Sequence, residues 1–285
     1  MKKFFSVGLA LLSINSIASA QLAIGGNRED RPIEDTTSAA RVANLYQKKL
    51  FINGNDTLPY RILLPELYDS SKKYPLLIFL HGSDERGRDN EKQLINGGKL
   101  FVQDDNLRKF HSIVVFPQCP PESYWTNAKI TIDPKTQKES FAFRPDGDPT
   151  KAMKMAMELE SSLVSEYPVN KERVYLMGIS DGAMGVYEIV RRMPGTYAAA
   201  VAIAGGADTS TARQIKKTAF FIIHGAKDDV VPPKYSEDMA QAIQKFYSAA
   251  EMEYTVYPDA KHDSWNQAFK DPEILSWLFR QTKMK

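Results

Sequence analysis

Cysteine is almost missing from this chain. Of 285 residues only Cys119 carries a thiol, so no intrachain disulfide can form. Histidine is scarce too: there are four, dispersed, with no His-Glu-x-x-His among them, which leaves a zinc-hydrolase ligand set without a basis. No Gly-x-x-x-x-Gly-Lys loop is present to cradle a phosphate, and neither a cofactor nor a metal is expected. Charge of one sign is lacking, with 37 Lys+Arg against 35 Asp+Glu. The basic residues are scattered and form no stripe, which argues against a nucleic-acid partner. Beyond residue 20 no apolar run approaches the roughly 18 residues that a membrane span requires. Internal repeats and low-complexity tracts are absent as well.

What is present begins with an export signal. Met1-Lys2-Lys3 forms a basic start, residues 4–17 are largely apolar, and Ala18-Ser19-Ala20 supplies small residues for cleavage before Gln21. Residues 1–20 are therefore expected to be a signal peptide, and the mature protein to be secreted or periplasmic. Cleavage would remove two lysines and no acid, leaving the charge balanced. Residues 21–40 mix Gly, Asn, charged and hydroxyl residues without a sustained period, as a flexible leader does. The remainder, residues 41–285, is long enough for one domain, which at about 245 residues buries roughly 70–75% of its unfolded surface.

Hydrophobic patterning predicts the elements of that domain. Leu50-Phe51-Ile52 and Tyr60-Arg61-Ile62-Leu63-Leu64 flank Asn53-Gly54-Asn55-Asp56, a strong hairpin turn. Residues 74–80 and 112–117 are continuous apolar runs, as central strands covered on both faces require. Residues 89–108 hold one or two helices, broken near Gly97-Gly98. Residues 127–149 are polar, with no clear period. Lys151–Glu166 reads as an amphipathic helix, its methionines filling the core. Strands follow at 174–177, 198–204, 218–223 and 253–257, and helices at 183–192, 233–246 and 272–281. This alternation predicts an α/β fold with a mostly parallel central sheet, helices on both faces and an N-terminal antiparallel hairpin.

The chemistry centres on Gly178-Ile179-Ser180-Asp181-Gly182, set between the strand at 174–177 and a helix that ends at Arg191-Arg192 before Pro194-Gly195. Strand, Gly-x-Ser-x-Gly, helix is the setting in which a serine becomes a nucleophile, because small flanking residues let strand and helix approach around a strained turn. A serine needs a base, and the base an orienting acid. His262 sits in the polar loop after the last strand, where loops at strand C-termini meet along one sheet edge. His81 and His224 end apolar strands before glycines, and His111 lies far upstream. For the acid, Asp228 and Asp229 follow the strand that ends in His224, with Asp259 a rival on the same loop as His262.

At this point the chain resembles the α/β-hydrolase superfamily. His81-Gly82 is similar to its oxyanion strand, Gly178–Gly182 to its nucleophile elbow, and His224-Gly225-x-x-Asp228-x-x-Val231-Pro232 to its acid loop. Within the superfamily, Leu-His-Gly-x-x-Glu-Arg-Gly at residues 80–87 and His-Asp-Ser-Trp at residues 262–265 resemble secreted serine esterases and peptidases near the feruloyl and acetyl-xylan esterases. The resemblance implies a Ser180–His262–Asp228 triad, with Asp228 preferred over Asp229. It also implies an oxyanion hole from the backbone N–H groups of Ser83 and Asp181. Asp181 stands where many relatives carry an uncharged residue, and turned inward it would oppose an oxyanion. Ala183 replaces a common second glycine. Glu85 and Arg86 are expected to form an ion pair or to anchor a loop. Trp125, Gln118 and Trp265 are candidate substrate contacts, with core packing as the competing role for the tryptophans.

The resemblance implies an ester substrate, with feruloyl or acetyl decorations of plant polysaccharide as the leading class. A peptidase, lipase or thioesterase with the same triad is the second reading, and a catalytically silent binding protein the third.

Overall fold

A computed structural model of the chain describes residues 39–135, 139–247 and 252–284. The expected signal peptide and nearly all of the expected leader lie outside these residues. In chain order the elements are α1 (Ala39–Leu45), β1 (Gln47–Asn53), β2 (Asp56–Leu63), β3 (Tyr74–Leu80), α2 (Gly98–Phe101), α3 (Asp104–Lys109) and β4 (Ile113–Pro117). There follow β5 (Lys129–Ile132), β6 (Glu139–Ala142), α4 (Lys151–Glu166), β7 (Val169–Ile179), α5 (Asp181–Arg192), β8 (Ala199–Ile203) and β9 (Ala219–Gly225). The chain closes with α6 (Lys234–Gln244), β10 (Met252–Tyr257), α7 (Trp265–Ala268) and α8 (Pro272–Arg280).

Eight strands form one sheet in the order β1-β2-β4-β3-β7-β8-β9-β10. Pairings from β4 through β10 are parallel, whereas β2 runs antiparallel to both β1 and β4. The chain builds outward from β3 to β4, then crosses back to place β7 on the other side of β3. Open α/β sheets bind ligands beside such a reversal, here beyond the C-terminal ends of β3 and β7.

Both faces of the central strands β3, β4, β8 and β9 are buried, which explains the continuous apolar runs. Along β3, Leu76, Ile78 and Leu80 face a core shared with Met153, Val186 and Met239 of α4, α5 and α6. Leu77 and Phe79 face a second core with Val42, Leu100 and Leu275 of α1, α2 and α8. Each such fully buried aliphatic side chain contributes about 1.5–3 kcal/mol relative to exposure. These two cores hold the strand ends rigidly.

Among the elements that escape sequence patterning, three places stand out. The first is α1, part of which was expected to be leader. The second is the hairpin β5–β6, which occupies the stretch expected to be irregular. Its burial is confined to Phe141, and a strand pair with one buried side chain leaves no alternation to read. The third is the N-terminal half of β7, where Asn170 to Arg173 are polar and partly or fully exposed because β7 breaks register with β3 between the buried Val169 and Val174.

Candidate active site

The turn from β7 into α5 is built by close approach. A β-carbon at Gly178 would lie 2.3 Å from the Gly182 carbonyl oxygen, and one at Gly182 would lie 2.0 Å from the Leu80 carbonyl oxygen. Only glycine lets the helix start against β3 here. Between them Ser180 adopts φ 53° and ψ −122°, a strained conformation for a residue with a side chain. Serine at a helix N-cap ordinarily turns its hydroxyl onto the helix amides. Here the strained backbone aims it elsewhere, and no capping bond forms.

Ser180 Oγ lies 2.9 Å from His262 Nε2, and His262 Nδ1 lies 2.8 Å from Asp228 Oδ2. The three come from the loops after β7, β10 and β9, so the sheet edge collects residues far apart in sequence. Asp228 Oδ1 accepts from the amides of Val230 and Val231, both at 2.9 Å, and Oδ2 also faces His224 Nε2 at 3.0 Å. Burial alone would raise this carboxyl; the bonds from His224, His262 and the Val230 amide outweigh it and hold the group well below the usual carboxylate range. Asp229 is exposed. Asp259 pairs with Lys227 at 2.6 Å, away from the imidazole.

Two backbone segments adjoin the serine, the start of α5 and the turn after Gly82. Asp181 is the first residue of α5, so its amide has no intrahelical acceptor. Ser83 opens a short 3-10 turn, Ser83–Glu85, directly after Gly82. A β-carbon at Gly82 would come 3.4 Å from Ser180 Cβ, so this turn runs past the serine side chain. Arg86 braces the turn: its guanidinium donates to the carbonyls of Ser83 at 2.9 Å and of Pro121 and Ser123 at 3.1 Å, and lies 4.0 Å over the Tyr124 ring. Glu85 accepts from Asn96. Each anchors a loop rather than pairing with the other.

Over residues 68–274, a span that contains Ser180, Asp228 and His262, the chain matches the phospholipase/carboxylesterase family. It belongs to that family. Its fold is also that of a thermostable esterase, 27% identical with a TM-score of 0.73, over 85% of this chain and 64% of that one. This carboxylesterase-family chain thus spans just under two-thirds of that esterase. A ferulic acid esterase from Anaeromyces mucronatus, solved in complex with ferulic acid, shares the fold at 19% identity and TM-score 0.56, over 79% and 86% of the two chains. An acylaminoacyl peptidase from Pyrococcus horikoshii does so at 13% identity and TM-score 0.55, over 85% and 42%. No curated protein is similar enough to count as a relative.

Several residues of this carboxylesterase-family protein sit differently from their sequence-based placement. Trp125 is fully buried, its ring edge-on to His81 at 5.3 Å, and presents no face to a substrate. Gln118 is likewise interior, its oxygen accepting from the Asn90 amide at 2.7 Å and its nitrogen donating to the Glu85 carbonyl at 3.2 Å. Both follow β4 and were candidate substrate contacts; the loop turns inward, and for Trp125 the competing role of core packing holds. Trp265 keeps partial exposure and stands edge-on to the His262 ring at 5.3 Å. His81 is buried, and burial lowers it to about 4, so it is neutral. Its Nδ1 donates to the Gly82 carbonyl at 2.6 Å, and its Nε2 accepts from the Cys119 amide at 2.9 Å. His111 is exposed. Ala183 is accommodated by Gly205, where a β-carbon would lie 2.7 Å from the Ala183 methyl.

Asp181 does not face the serine hydroxyl. Its Oδ2 accepts from the Trp125 amide at 2.9 Å and its Oδ1 from the Thr126 amide at 3.4 Å, tying the loop after β4 to the elbow. Burial raises the carboxyl to about 6 against these two donors. Between an unfolded value near 3.9 and this folded value, the folded chain binds the additional proton. The group's contribution therefore becomes less favourable as pH rises from about 4 to about 6, then levels off. The stability of Asp181→Asn relative to the native chain should follow the opposite slope, gaining on the order of 2 kcal/mol across that window. Urea unfolding of both proteins at about pH 4, 5, 6 and 7 measures this, and a pH-independent difference would refute it.

Proposed function

We propose that this protein is an exported serine carboxylic-ester hydrolase working through an acyl-enzyme. The reading is carried by the continuous line from Ser180 Oγ to His262 Nε2 and from His262 Nδ1 to Asp228, at 2.9 and 2.8 Å, in a chain of the carboxylesterase family. Ser180 Oγ attacks the ester carbonyl while its proton passes to His262 Nε2. The carbonyl oxygen gains the negative charge, and the amides of Asp181 and Ser83 hold it, a type of donor whose loss costs about 10²–10³ in rate. The alcohol departs with the proton from His262. A water, deprotonated by the same nitrogen, then attacks the acyl-enzyme, releasing the acid and restoring Ser180. Asp228, held ionised, keeps Nδ1 protonated and so leaves Nε2 free to accept.

For the substrate we infer feruloyl or acetyl esters on plant polysaccharide. The hairpin β5–β6 supports this. Phe141 packs with Met184 and Val231, and partly buried Phe143 and Tyr235 cover the same cluster. Met184 lies one helical turn beyond Ser180, and Val231 follows Asp228 in the acid loop. Rings of Phe141 and Phe143 both meet Tyr235 edge-on, at 5.9 and 5.7 Å, forming an aromatic wall that suits a cinnamoyl group. Trp265 remains a candidate contact on the His262 side. Methyl ferulate, acetylated xylan, a long-chain p-nitrophenyl ester and an aminoacyl anilide, assayed side by side, test the reading. Methyl ferulate or acetylated xylan should show the highest kcat/KM. Fastest turnover of the anilide would make it a peptidase, and of the long-chain ester a lipase.

A further inference from the structure

The acid is held by a second imidazole that the steps above do not use. His224 is fully buried at the end of β9. Its Nε2 lies 3.0 Å from Asp228 Oδ2, the same oxygen that His262 approaches, and 3.0 Å from the Val231 carbonyl. Both partners only accept, so His224 Nε2 carries a hydrogen. At the other end of the ring, Nδ1 lies 2.6 Å from Ser236 Oγ, which also lies 2.5 Å from the Gly205 carbonyl oxygen, so the one hydroxyl hydrogen serves one of these two acceptors at a time. Gly205 closes the circuit, because a β-carbon there would come within 2.9 Å of the Ser180 carbonyl oxygen. Contacts thus run from the elbow through Gly205, Ser236, His224, Asp228 and His262 back to Ser180.

We propose that His224 is a positioning residue for the acid: it fixes Asp228 Oδ2 opposite His262 and shares the carboxylate's charge between two imidazoles. This rests on the reading of Ser180, His262 and Asp228 given above. With Oδ1 tied to two backbone amides and Oδ2 to His224, the carboxylate keeps its orientation whichever way the proton moves between Ser180 and His262. Among the described residues, the titratable groups bonded to Asp228 are His224 from β9 and His262 from the loop after β10; Ser236 of α6 faces His224 and carries no charge.

Two substitutions separate this role from packing. In His224→Gln the amide nitrogen reaches the place of Nε2 and keeps the donor to Asp228, whereas in His224→Asn it reaches the place of Nδ1 and loses that donor. With p-nitrophenyl acetate, His224→Gln should keep kcat within about threefold of the native enzyme, and His224→Asn should lose about 10–100-fold in kcat with KM little changed. Asp228 without its second donor concentrates more charge on His262, so the acid limb of the kcat profile should move about half a unit to higher pH in His224→Asn alone. Equal losses in the two variants, or an unmoved limb in His224→Asn, would overturn the proposal. If His224→Asn fails to fold, Ser236→Ala decides, since it frees the ring to turn. A roughly 3–10-fold lower kcat with the same direction of limb shift supports the role, and a native-like kcat and limb reject it. Ser180→Ala in the same assay keeps the two readings apart: if it retains activity, the site assignment fails, and if it is inactive, only the role of His224 is in question.

Discussion

Ser180→Ala should lower kcat for p-nitrophenyl acetate by about 10⁴–10⁶-fold while leaving the protein folded. The hydroxyl is the nucleophile in the proposed reaction, and among the described residues it is the side chain that meets His262 Nε2, at 2.9 Å. The flanking amides of Asp181 and Ser83 survive the change, so residual catalysis above water is expected from them alone. Structurally the substitution removes one hydrogen bond from a residue that is 9% exposed, and the strained φ stays. A partly buried bond of that kind contributes about 1 kcal/mol, so circular dichroism and the unfolding midpoint should change little. Turnover within tenfold of the native enzyme would remove Ser180 from the mechanism.

Asp228→Asn should cost about 10⁴-fold in kcat, whereas Asp229→Asn should stay within about twofold. An asparagine oxygen at the Oδ2 position would still accept from His262, but its amide nitrogen would then confront the N–H groups of Val230 and Val231, which now donate to Oδ1 at 2.9 Å. Turned the other way, it would set donor against donor at both imidazoles and favour the tautomer with Nε2 protonated, which cannot take the serine proton. Equal damage from Asp229→Asn would show the acid to be misassigned.

The same group predicts a stability signature. The folded-state value of Asp228 is depressed, so its stabilising contribution is complete above its unfolded value near 3.9 and is lost as pH falls below that toward the folded value. Native stability should thus decline more steeply below about pH 4 than that of Asp228→Asn, as read by urea unfolding at about pH 3, 4 and 5. Parallel curves would show that Asp228 is not held ionised.

Much of this site was open to a reader of the sequence, for reasons that differ from residue to residue. Gly178 and Gly182 were legible because a β-carbon at either position would collide with backbone, so the spacing is a steric requirement rather than a preference. The helix α4 was legible to its ends because Thr150 caps it, accepting from Met153 N, and its buried face is apolar but for Glu160. The direction of Asp181 was not legible. Its carboxylate turns to Trp125 and Thr126, which follow β4, and nothing in the residues around 181 specifies that neighbour. The burial of Gln118, and the choice between substrate contact and core packing for Trp125, were hidden for the same reason, since the loop that carries them turns inward only once its distant neighbours are in place.

Alone, the sequence determined the strand–turn–helix units, the mostly parallel sheet and the presence of one serine on a strained elbow. Those features follow from local sterics and from apolar periodicity, which act between near neighbours in the chain. Resemblance pointed to His262 and Asp228, but only the tertiary structure brought them into line with that serine at 2.9 and 2.8 Å and set a second imidazole against the carboxylate. Such meetings depend on strand order and on the cores that lock it, and these bring together side chains that no local pattern connects.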